Sequence, residues 1–72
     1  RKLRHLRFVI GLTMSVISQT DLSLDEAFEL VEAVRGFALK LFPGKEAAFD
    51  LIYWPRFQRL MEERFNLRGV SG

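Results

Sequence analysis

The chain has 72 residues, a formal net charge of +2, one histidine and no cysteine. A disulfide framework and a thiolate zinc site are therefore excluded, leaving one small domain over residues 1–72 that buries only roughly 60% of the surface its unfolded form exposes. Apolar residues make up 49% of the chain, with seven Phe, one Trp and one Tyr, more than so small an interior can hide, so stability is expected from self-association as well as from packing.

Charge is unevenly spread. Residues 1–20 carry Arg1, Lys2, Arg4 and Arg7 and no acid. Residues 21–40 carry Asp21, Asp25, Glu26, Glu29 and Glu32 against Arg35 and Lys40, and the remainder is nearly balanced. Alternating blocks of this kind suit complementary faces within a bundle or between subunits. A nucleic-acid binder more often concentrates its bases in one stripe.

The first helix is predicted over residues 2–18. At 100° per residue its apolar positions form two stripes. One is Leu3, Leu6, Ile10, Met14 and Ile17; the other is Phe8, Val9, Leu12 and Val16. Arg4, Arg7, Gly11, Ser15 and Ser18 form the polar strip between them. A helix apolar over most of its circumference is buried on more than one side, and a second copy of the chain is the simplest source of the second cover. The Phe8, Val9, Leu12, Val16 stripe is thus the expected homodimer interface. The basic start and the apolar run over residues 8–17 share the layout of a signal peptide, but Val16-Ile17-Ser18 is a poor cleavage site. The run is also short of the roughly 20 residues that span a bilayer. It is read as a structural helix of a cytoplasmic protein, with no membrane partner.

Ser23-Leu24-Asp25-Glu26 reads as a capping box that opens a second helix over residues 24–41. Asp25, Glu26 and Glu29 suit the positive end of its dipole. The apolar face runs through Leu24, Ala27, Phe28, Leu30, Val31, Val34, Phe37, Ala38 and Leu41. Arg35 falls inside that arc. Its stem can cover apolar surface while its head reaches water or a carboxylate, or it can meet an acid of a partner chain as a rim of the interface.

Pro43 and Gly44 end the second helix, and a third starts near Lys45. Ile52-Tyr53-Trp54-Pro55-Arg56-Phe57 then sets a corner. A continuous helix would rotate the apolar stripe by roughly 150° across Pro55, and an interior proline there costs about 3 kcal/mol. Both conflicts vanish if Pro55 opens a fourth helix running to about Asn66. Tyr53 and Trp54 then plug the corner and form a second candidate rim of the interface. Arg59 is expected to pair with Glu63 one turn on. Arg56 faces the wrong end of the helix dipole, so it needs a counter-charge. Asp50 is the nearby candidate; a bound anion or a partner's carboxylate is the other.

No catalytic constellation emerges. His5, the single imidazole, sits among bases and is read as a surface residue. Glu29 and Glu32, and Asp25 and Glu29, have the spacing of an exposed acidic face, and the Glu-x-x-His pattern of di-iron bundles is missing. Pro43-Gly44-Lys45 lacks the remaining elements of a phosphate-binding loop. No enzyme activity and no cofactor are expected. The expected fold is all-α, a small helical bundle of two long antiparallel helices with a short third and a fourth. The expected role is protein–protein interaction through a homodimer, or with another protein. The alternative is a helix-turn-helix-like nucleic-acid-binding regulator, with Arg56 and Arg59 as its contacts.

Overall fold

The capping box fixes where the second half of the bundle begins. In a computed structural model, which describes residues 1–65, the Ser23 N–H donates to Glu26 Oε1 at 2.9 Å. The Glu26 N–H donates to Ser23 Oγ at 3.1 Å. Two of the otherwise orphaned amides at the helix start are thereby satisfied. Four helices make up the described residues: α1 (Lys2–Gln19), α2 (Leu24–Leu41), α3 (Glu46–Ile52) and α4 (Trp54–Phe65). The fold is all-α, as expected, and the long helices lie within a residue of their predicted bounds. The expected stop at Asn66 lies outside the described residues.

Each junction has a local cause. The Thr20 N–H donates to the Val16 carbonyl at 3.0 Å and closes α1. Phe42 leaves helical space at φ −131° and ψ 75°, as the residue before a proline must. Gly44 takes φ 81°, in the left-handed region that costs glycine little. At the corner, the Tyr53 N–H still donates to the Phe49 carbonyl at 2.8 Å, while the Arg56 and Phe57 amides both turn to the Tyr53 carbonyl at 3.1 Å. Pro55 is the second residue of α4 rather than the first. It sits within the opening turn, where a missing N–H removes no intrahelical bond.

Contacts between helix ends set the topology. Lys2 Nζ donates to the Leu41 carbonyl at 3.4 Å, and the rings of His5 and Phe37 lie 5.5 Å apart, so α1 and α2 run antiparallel. An Arg64 guanidinium nitrogen donates to the Thr20 carbonyl at 2.9 Å, which brings the end of α4 to the end of α1.

The core follows one spacing on both long helices. Leu6, Ile10, Thr13 and Ile17 of α1 are buried, and so are Ala27, Val31, Val34 and Ala38 of α2. Both sets step by four, three and four residues, the period of one helix face. Phe49 of α3 and Phe57 and Met61 of α4 complete the core, with Phe57 fully enclosed. Thr13 takes the place that sequence pattern gave to Met14, which is half-buried. Its hydroxyl donates to the Val9 carbonyl at 2.8 Å, so no polar group is stranded by the burial. Principal extents of 39 × 23 × 17 Å leave at most two helix layers at the usual spacing of about 8–10 Å. Every helix therefore keeps an outward side.

Candidate interaction face and the cationic cleft

On α1 that outward side is apolar. Phe8 is 67% exposed and Leu12 55% exposed, while Val9 and Val16 beside them are half-buried. At 100° per residue Phe8 lies close to 180° from the centre of the buried Leu6–Ile10–Thr13–Ile17 face. Among the described residues, then, α1 is buried on one side; of its second apolar stripe Phe8 and Leu12 are open, while Val9 packs against the core. Gly11 and Ser15 lie on the same outer surface and are exposed; a Cβ at Gly11 would meet nothing within 4 Å. From Phe8 to Thr20 the helix carries no charge.

The remaining interface candidates lie elsewhere. Arg35 is half-buried on α2, roughly 160° around the helix from Phe37, the residue that meets α1. It faces α3. Its Nε and Nη2 donate to the two Asp50 carboxylate oxygens at 2.9 and 3.0 Å, a bidentate fork. That hydrogen bonding raises the Arg35 pKa above its ordinary value, with Asp50, Glu32 and Glu46 adding favourable charge. The same hydrogen bonding lowers the Asp50 carboxyl. Tyr53 and Trp54 are half-buried against the core, and the Tyr53 ring lies 5.6 Å from that of Phe49, tilted by 47°. They plug the corner. The structure does not bring Arg35 together with the α1 stripe, and the corner borders α1 on its other flank.

That other flank is cationic. Arg7, Ile10, Gly11, Met14, Ile52, Tyr53 and Arg56 line one cleft of about 390 Å³. Asp50, which sequence offered to Arg56, is occupied by Arg35. Nor do Arg59 and Glu63 form an ion pair, whereas Arg35 and Asp50 do. Arg56 and Arg59 are both exposed.

Compared with family models, curated proteins and solved structures, the chain finds no match. Its chemistry rests on its own geometry.

Sequence pattern missed one further feature. Leu3, Leu6, Ala38, Phe42, Phe49 and Ile52 bound an apolar groove of about 320 Å³ between the start of α1, the end of α2 and α3, with Lys45 at its wall. Leu3 and Ile52 at its border are both exposed, although helical spacing sets Leu3 on the same α1 stripe as the buried Leu6. Among the described residues no group of three His, Asp or Glu is placed to hold a metal, and no helix is long and apolar enough to cross a membrane.

Proposed function

We propose that this chain is a protein–protein interaction module that pairs with a second copy of itself through the outer face of α1. One observation carries the reading. A stretch of α1 that is free of charge from Phe8 onward presents Phe8 and Leu12 to solvent on a body too thin to cover it. Contiguous exposed apolar surface on a small protein marks a partner site, and a closed two-fold pair uses one such patch on each copy.

Charge favours an antiparallel arrangement. Parallel packing would set Arg1, Lys2 and Arg4 beside their own copies. Antiparallel packing centred near Gly11 and Leu12 carries them toward Asp21 and Asp25 of the partner subunit. The role proposed is association rather than catalysis, in the cytoplasm, where small chains do not depend on disulfides.

Leu12→Glu is expected to weaken self-association by roughly 30-fold or more, as loss of a central apolar anchor does. Circular dichroism of the variant should match that of the parent. An unfolded variant would mean that the stripe is core and would remove the main support. Because the chain has no cysteine, orientation is also testable. Mixing Arg4→Cys and Gln19→Cys chains should give the mixed disulfide in preference to either symmetric one.

The exposed Arg56 and Arg59 support a second, weaker reading as a nucleic-acid-binding regulator, opposed by Glu62 and Glu63 on the same helix. Steeply salt-dependent binding to duplex DNA, abolished in Arg56→Ala/Arg59→Ala, would put that reading first.

A further inference from the structure

The short helix α3 divides the charge of the molecule. Toward α2, Asp50 is held by two nitrogens of Arg35, and Glu32 and Glu46 act on the same cation. Toward α1, the cleft that Arg7 and Arg56 share with Tyr53 has no carboxylate among the described residues of its lining. Among the described residues neither arginine has an ion-pair partner. Two guanidiniums on one cleft repel each other, and Arg56 adds a cation to the first turn of α4, where the dipole opposes it. The described residues supply a counter-charge to Arg35 and none to this pair.

We infer that the Arg7–Arg56 cleft binds a small oxyanion of the phosphate class. The donor geometry selects the class. A guanidinium presents its N–H groups as a planar fork, and a single fork already occupies both oxygens of a carboxylate, as Arg35 does with Asp50. Arg7 from α1 and Arg56 from α4 border the same cleft and together offer two such forks, which suits a ligand with more oxygens and more charge, and a phosphate dianion has both. The volume of about 390 Å³ suits a small phosphomonoester. Arg7 lies about 100° around α1 from Phe8, and Gly11, which lines the cleft, falls between them, so the cleft borders the proposed pairing face.

The test is titration with inorganic phosphate at constant ionic strength, followed by the Arg Nε–Hε resonances. Saturable shifts at Arg7 and Arg56 are expected. The midpoint should weaken by roughly tenfold or more in Arg7→Gln and in Arg56→Gln, the scale of losing one charged hydrogen-bonding partner, and should hold in Arg59→Gln. All three positions are exposed, so far-UV circular dichroism should be unchanged. Arg7→Lys, which keeps the charge and loses the fork, should fall between parent and Arg7→Gln. Shifts that grow linearly and match those from chloride would overturn the proposal, as would a midpoint unchanged in both glutamine variants. Tight binding to duplex DNA without saturable phosphate binding would also overturn it, by assigning the arginines to a polyanion.

Discussion

Ser23 and Glu26 each satisfy an amide of the other, and nothing beyond four consecutive residues is needed to build that arrangement. Ser23→Ala should lower stability by about 1 kcal/mol, read as a lower urea midpoint with the slope unchanged. The Arg35–Asp50 fork is a different kind of contact. Its partners lie on α2 and α3 and meet only because the turn through Pro43 and Gly44 folds α3 back. Because Arg35 lowers the Asp50 carboxyl, the native state holds the carboxylate ionised at a lower pH than the unfolded chain does. The stabilisation is fully present above the ordinary carboxylate range and is lost as pH falls through the depressed native value. Urea midpoints measured across the acid range should therefore fall less steeply for Asp50→Asn than for the parent. The sequence-local capping box was legible in advance, although the equally local Arg59–Glu63 pair does not form. This one was not, and the nearest-neighbour logic that joined Asp50 to Arg56 failed because it had no knowledge of where Arg35 would point.

At the scale of the helices, periodicity and punctuation were enough to set the boundaries. The step by four, three and four that buries α2 was already visible in Ala27, Val31, Val34 and Ala38. On α1 the same step was hidden by Thr13, whose hydroxyl looks polar in sequence and is satisfied by its own helix in the fold. The corner was legible for a steric reason, since Pro55 cannot sit inside a helix without losing a bond. Gly36 gives an element-scale prediction. It is exposed in the middle of α2, and a Cβ there would meet nothing within 4 Å. Gly36→Ala should raise stability by about 0.5–1 kcal/mol through helix propensity, visible as a higher thermal midpoint. Arg56 and Arg59 illustrate the opposite limit. Their helix was predicted, but whether each finds a partner depends on α1 and α3, which sequence spacing does not place around them.

The whole molecule explains why an apolar stripe remains outside. A chain of 72 residues folded into a body 17 Å thick cannot enclose α1, so Phe8 and Leu12 face solvent on the side away from the core. The surplus of apolar residues was readable from composition, and the stripe from helical spacing. Which of the two α1 stripes would face inward depended on how α2 and α4 close over it. The cationic cleft is likewise a property of the assembled molecule, since Arg7 and Arg56 are 49 positions apart and come to line one cleft only through the packing of α4 on α1. Light scattering across a dilution series tests the central claim most directly. A mass twice that of the 8.4 kDa chain, falling to the monomer value only at low concentration, is the result predicted. A monomer mass at every concentration would contradict pairing through α1.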